Sequence, residues 1–205
     1  MLITFEGCEG CGKSTQLRLL KEYLTKTNQD FVYAREPGGT EISEKIRSVI
    51  LDKENEAMTA ECEALLYAAS RAQLIKQVIL PSLKEGKIVI LDRYIDSSLA
   101  YQGFARGLTY DFVAKVNSFV MENCMPDVTI FLDVSPEKAF KRKGGADKSD
   151  RIELAGLEFH NKVYEGYLKL AEMFPNRFKS FTADISIQEM HTQIIEFLRQ
   201  KGYIK

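Results

Sequence analysis

Residues 2–15 read LITFEGCEGCGKST, and this stretch sets the reading of the rest of the chain. Leu2 to Phe5 is a short apolar run of strand type, and Gly7 to Ser14 fits Gly, four residues, Gly-Lys-Ser, the pattern of a phosphate-binding loop. Gly7, Gly10 and Gly12 can take φ values closed to other residues, so successive N–H groups can turn inward around an anion. Lys13 supplies a mobile cation for the outer phosphates and Ser14 a hydroxyl for Mg²⁺. Leu17, Leu20 and Leu24 then recur at helical spacing, so a helix points its positive end at the same place. The predicted ligand is a polyphosphate. The loop alone does not name a reaction.

Outward from it, short apolar strands alternate with amphipathic helices. Phe31 to Arg35, Ile88 to Asp92, Val128 to Asp133 and Phe178 to Thr182 read as further strands. Helical periodicity covers Leu17 to Thr27, Ile42 to Leu51, Ala60 to Leu80, Phe112 to Glu122 and Leu154 to Met173. Ser135 before Pro136 marks a helix start, and Ser186 with Glu189 forms a capping box for a last helix ending near Gly202. The pattern predicts an α/β fold: a five-stranded parallel sheet with helices on both faces. Ligands of such sheets sit outside the carboxyl ends of the strands.

At 205 residues, with no linker or low-complexity tract, the chain is expected to form one domain over 1–205. Its 28 basic and 29 acidic residues give no field to attract nucleic acid or an anionic membrane, so phosphate recognition must be local. The N-terminal apolar run is cut by Glu6, so neither a signal peptide nor a span is predicted and the expected location is cytoplasmic. Cys8 and Cys11 have the spacing of a metal or redox pair. Inside a phosphate loop, however, a metal or disulfide would compete with the anion, and they read as small loop fillers.

The residues just after the other strands carry chemistry too. Arg35-Glu36-Pro37-Gly38-Gly39-Thr40 is more than a turn, because Pro-Gly-Gly alone would not ask for an Arg and a Glu at the mouth of the sheet. In Leu65 to Gln73, Tyr67, Ser70 and Arg71 fall at i, i+3 and i+4, so an aromatic plane and a guanidinium share one helix face and could hold a base. Asp92-Arg93-Tyr94 offers an acid for Mg²⁺ and a clamp for phosphate, followed by Ser97, Ser98, Tyr101 and Gln102. Lys141, Arg142, Lys143, Lys148 and Arg151 surround the Gly144-Gly145 pair, which reads as the hinge of a mobile lid over about 141–151.

Taken in this order, GCEGCGKST, REPGGT, LLYAASR, DRYIDSSLAYQG, PDVTIFLDV and DRIE resemble the thymidylate kinases along nearly the whole chain. The resemblance implies a P-loop NTPase fold and a homodimer that transfers the γ-phosphoryl group of ATP to dTMP with Mg²⁺, on the route to dTTP. It implies that the loop, Gly7, Cys8, Glu9, Gly10, Cys11, Gly12, Lys13, Ser14 and Thr15, binds ATP together with Arg142 over the adenine. It assigns Glu9, Arg35, Glu36, Pro37, Tyr67, Ser70, Arg71, Arg93, Ser97, Ser98, Tyr101 and Gln102 to dTMP, with Tyr67 stacked on thymine, Arg71 and Gln102 at the base edge, and Tyr101 against C2′. Ser14, Asp92 and Glu36 fall to the metal, and Lys13, Arg93, Arg151, Glu9 and Asp92 to catalysis. The loop lacks an internal cation, so the catalytic arginine is expected in the lid, at Arg151. One departure is Tyr164, where many members carry Arg in Val-Arg-x-Gly-Tyr. The competing readings are another nucleoside monophosphate kinase and a nucleotide-dependent regulatory ATPase.

Overall fold

A computed structural model describes residues 1–143, 150–182 and 185–205; the Gly144-Gly145 hinge and Lys148 of the expected lid lie outside them. In chain order the elements are β1 (Leu2–Glu6), α1 (Lys13–Lys26), β2 (Phe31–Arg35), α2 (Glu41–Leu51), α3 (Ala60–Leu74), α4 (Leu80–Lys84), β3 (Ile88–Asp92) and α5 (Ile95–Ser98). There follow α6 (Tyr110–Val116), α7 (Ser118–Asn123), β4 (Val128–Asp133), α8 (Pro136–Lys143), α9 (Gly156–Met173), β5 (Phe178–Thr182) and α10 (Ile187–Gln200). All five strands run parallel in the order β2-β3-β1-β4-β5.

Alternation along the strands sends side chains to two cores, one on each face. Leu2, Val89, Leu91 and Phe131 pack with Leu99, Val163 and Leu170 on one side. Ile3, Phe5, Ile90, Ile130 and Leu132 pack with Leu17, Leu20, Ile194 and Leu198 on the other. The inner strands β1, β3 and β4 are buried on both faces and read as continuous apolar runs, whereas the edge strands β2 and β5 are partly exposed. The expected capping box closes as well: Ser186 Oγ accepts from the Glu189 N–H (3.2 Å) and the Glu189 carboxylate accepts from the Ser186 N–H (2.8 Å).

Two long helical readings need correction. The stretch Ala60 to Leu80 stays helical but widens into a π-helical turn at Ile75–Ile79. The stretch Phe112 to Glu122 is two helices, α6 and α7, parted at Asn117. A π-helical segment at Leu99–Ala105 also continues α5, and it carries Tyr101 and Gln102.

The register sets the site. Phe5 and Arg35 both pair with Asp92, and β1 is the central strand, so the ends of β1, β2 and β3 open side by side. The Glu36 N–H donates to the Asp92 carbonyl (2.9 Å) and the Arg93 N–H to that of Phe5 (3.0 Å), which continues the ladder past the last strand residues.

Candidate active site

The loop after β1 has the conformation its glycines predict. Gly7, Gly10 and Gly12 lie at φ 141°, 78° and 102°, and a Cβ on Gly7 would come within 2.8 Å of the Leu132 carbonyl. Helix α1 starts at Lys13 with neither a side-chain cap nor an acid in its first turn, so its N–H groups are left for an anion. Lys13 Nζ reaches across the loop to the carbonyls of Gly7 and Cys8, each at 3.1 Å. Cys8 and Cys11 are buried free thiols, and burial pushes the Cys8 thiol up to about 12. That is the behaviour of a filler, since attack on oxidants needs thiolate.

Arg93 is attached to this loop. Nη1 donates to the Gly7 carbonyl (3.0 Å), the Ser97 hydroxyl (3.3 Å) and the Tyr167 phenol (3.1 Å), and Nη2 to the Glu9 carboxylate (3.1 Å). Behind it stands Glu6, the last residue of β1, fully buried. Its carboxyl accepts from the Tyr94 N–H (2.8 Å), the Ser97 N–H (3.3 Å), the Ser97 hydroxyl (2.6 Å) and the Tyr167 phenol (2.8 Å). Tyr94 has no side-chain cap to offer α5, so Glu6 caps that helix from another strand. Burial, followed by the charge of Asp96, raises the Glu6 carboxyl to about 7.

On the far side of Arg93 the cleft is walled by Tyr67, Arg71, Tyr101 and Gln102. Arg71 is 1% exposed and its guanidinium is held by Glu36, Asn117, the Tyr94 carbonyl and Ser98. Burial raises the Glu36 carboxyl to about 7 against the opposing pull of Arg71. Gln102 Nε2 donates to Glu63 (2.8 Å), a buried carboxylate that also takes Arg106 and Arg151. The whole cleft, about 570 Å³, joins loop residues Gly10, Gly12, Lys13, Ser14 and Thr15 to Arg35, Pro37, Asp92 and the aromatic wall.

The thymidylate kinase family profile matches residues 5–194. The chain belongs to the thymidylate kinase family. A thymidylate kinase of Clostridium novyi is 48% identical over 199 residues, 96% of this chain and 97% of that one. One of Bacillus velezensis is 47% identical over 206 residues, with 98% and 97% covered. Among solved structures, a thymidylate kinase from Ehrlichia chaffeensis superimposes with a TM-score of 0.79 at 33% identity, covering 97% of this chain and 98% of that one.

Of the residues that the family resemblance nominated, Glu9, Gly10, Gly12, Lys13, Ser14, Thr15, Arg35, Glu36, Pro37, Tyr67, Arg71, Asp92, Arg93, Ser97, Tyr101 and Gln102 converge on this one cleft. Others stand behind it. Gly7, Cys8 and Cys11 form the back of the loop, Ser70 accepts from the Gly38 N–H, and Ser98 accepts from Arg71. Arg142 is exposed on α8, outside the cleft lining. Arg151 departs most from expectation: Nη2 pairs with Glu63 and Nε donates to the Ile50 carbonyl, so the side chain is buried away from the cleft lining. The partner that holds it is Glu63, a carboxylate 1% exposed that Arg151 shares with Arg106. Tyr164, in place of the family's frequent Arg, donates to Asp133 at the tip of β4 (2.7 Å).

A divalent cation fits the acidic corner. Asp92 Oδ1 and Glu36 Oε1 are buried without a hydrogen-bond partner among the described residues, and both side chains line the cleft with Ser14. Among those residues no three acidic, His or Cys groups converge, so these oxygens could hold Mg²⁺ only together with phosphate and water. The sequence reading missed Glu6, Tyr167, Arg47 and His160. Arg47 donates to the Pro37 carbonyl (2.8 Å) and lines the cleft. His160 also lines it, and burial, then the Arg93 charge, lower its pKa. None belongs to a motif; only the partial Val-x-x-Gly-Tyr likeness pointed towards Tyr167.

Proposed function

We propose that this cleft transfers the terminal phosphoryl group of ATP to dTMP, giving ADP and dTDP on the way to dTTP. The observation that carries the reading is one cavity in which the loop's Lys13 and Ser14 share walls with Tyr67 and Arg71, while Arg93 is bonded to the loop between them. Phosphoryl transfer asks for alignment of two anions and neutral surroundings rather than covalent help from the protein.

The loop N–H groups and Lys13 hold the donor phosphates. Arg93 and Arg35 hold the acceptor phosphate, and Glu9 lies beside the sugar 3′-hydroxyl. Tyr67 stacks on thymine, Arg71 donates to its O4, Gln102 completes the base edge and Tyr101 crowds a ribose 2′-hydroxyl. Arg142 reaches adenine. Ser14, Asp92 and Glu36 would hold Mg²⁺, which when bound draws charge from the phosphate oxygens. No general base is required, because the acceptor is already an oxyanion at neutral pH. The working form proposed is a cytoplasmic homodimer; among the described residues, no helix is long and apolar enough to cross a membrane.

The test is ADP release with ATP and Mg²⁺ against dTMP, dUMP, dCMP, AMP and GMP. The expected order is dTMP first and dUMP weaker but measurable, because one methyl discriminates by only ~1–3 kcal/mol. A purine monophosphate preferred over dTMP, or ATP hydrolysis that no monophosphate stimulates, would overturn the reading.

A further inference from the structure

Arg71 has five N–H donors, and the structure accounts for nearly all of them. Nε donates to Glu36 Oε2 (2.8 Å). Nη2 donates to the Tyr94 carbonyl (3.2 Å) and the Ser98 hydroxyl (3.0 Å) and lies 2.6 Å from the same Glu36 oxygen. Nη1 gives one hydrogen to Asn117 Oδ1 (2.7 Å), and the other meets no partner among the described residues. Asn117 is itself fixed: it is 1% exposed, its Nδ2 donates to the Val113 carbonyl (2.9 Å), and it occupies the break between α6 and α7. That bond from Nδ2 leaves Oδ1 for the arginine.

We infer that Asn117 is a specificity-determining positioning residue, which takes one of the two Nη1 hydrogens of Arg71 and so fixes which acceptor base that arginine can serve. The inference rests on the reading above that Arg71 meets the base edge. Glu36 holds one edge of the guanidinium plane and Asn117 the opposite one, so the plane can neither slide nor tilt. The single remaining N–H then serves one acceptor, thymine O4. A cytosine presents an amino group at that point, and donor faces donor. Without Asn117, both Nη1 hydrogens would be free while Glu36, Tyr94 and Ser98 still held the other side of the group, and the second hydrogen could reach the N3 acceptor of cytosine instead. Asn117 touches no reacting atom and acts only through Arg71.

The experiment compares Asn117→Ala and Asn117→Asp with the unaltered enzyme, reading kcat/KM for dTMP and dCMP and KM for ATP. Ionised Asp keeps the oxygen that faces Arg71 and loses the donor to Val113, so it separates base selection from helix packing. We expect Ala to lower the dTMP-over-dCMP ratio about tenfold with KM for ATP unchanged, and Asp to keep the ratio within about twofold. Equal losses in Ala and Asp, or no loss in either, would overturn the inference. If the Ala variant does not fold, Asn117→Leu, which has similar volume and no acceptor, takes its place with the same expected loss. Arg71→Lys is measured alongside. A ratio unchanged in Arg71→Lys refutes the base-edge reading itself, whereas a ratio lost there and kept in the Ala or Leu variant refutes only the role of Asn117.

Discussion

Arg93 carries its side chain on a backbone at φ 67°, a left-handed conformation that a non-glycine residue holds only when its surroundings impose it. The imposition comes from Glu6, which takes the N–H groups of Tyr94 and Ser97 on either side of the first turn of α5. Arg93→Ala should therefore leave a folded protein whose kcat falls by about 10²–10³, as happens when a preorganised donor to a developing charge is removed; steady-state turnover with dTMP checks it. Glu6 itself should leave a signature in stability. Its carboxyl rises from an ordinary value of 4.5 in the unfolded chain to about 7 in the folded protein. Between those values the unfolded chain releases the proton while the folded one keeps it, so stability from this group is full below pH 4.5 and lost as pH rises through about 7. Urea unfolding of wild type and Glu6→Gln from pH 5 to 8 should show the wild-type advantage shrinking with rising pH and then levelling. A constant difference would mean that Glu6 ionises like a solvent-exposed acid.

At the scale of elements, helices begin where the sequence announces them and change course where it does not. The capping box at Ser186 is visible because both partners lie within one turn; Ser186→Ala should cost about 1 kcal/mol in urea unfolding. The break at Asn117 leaves the apolar period of α6 and α7 undisturbed, so periodicity alone ran the two helices together. At that break Asn117 meets a residue 46 positions away, Arg71. The end of the expected lid behaves similarly. Arg151 joins α3 through Glu63 and α2 through the Ile50 carbonyl. Since Arg106 and Gln102 remain on Glu63 when Arg151 is removed, Arg151→Ala should lose about 1–3 kcal/mol of stability, and its kcat should fall far less than that of Arg93→Ala. Turnover collapsing while the urea midpoint held would return Arg151 to the reaction.

For the whole molecule, the sheet order β2-β3-β1-β4-β5 brings together residues distant in the chain, and the cleft is a product of that order. A bound monophosphate should accordingly stabilise the entire fold: at one hundred times its dissociation constant, dTMP is worth about 2.7 kcal/mol, seen as a rise in Tm that GMP does not reproduce. The proposed homodimer has candidate surface in Leu65 on α3, 54% exposed, and Val49 on α2. Sedimentation should give twice the chain mass, and Leu65→Asp should lower it. What the sequence by itself determined was the local grammar: five strands, the glycine loop, the capping box, and the motifs that nominated Lys13, Tyr67, Arg71, Asp92 and Arg93. Each of those signals is contained within a turn or a strand, where spacing along the chain is also spacing in the molecule. Only the tertiary structure decided that Glu6 caps a helix 88 residues away, that Asn117 steadies Arg71, and that Arg151 turns to Glu63. A buried charge must find its counter-charge or hydrogen bonds wherever the packed chain supplies them, and that place has no mark in the order of the residues.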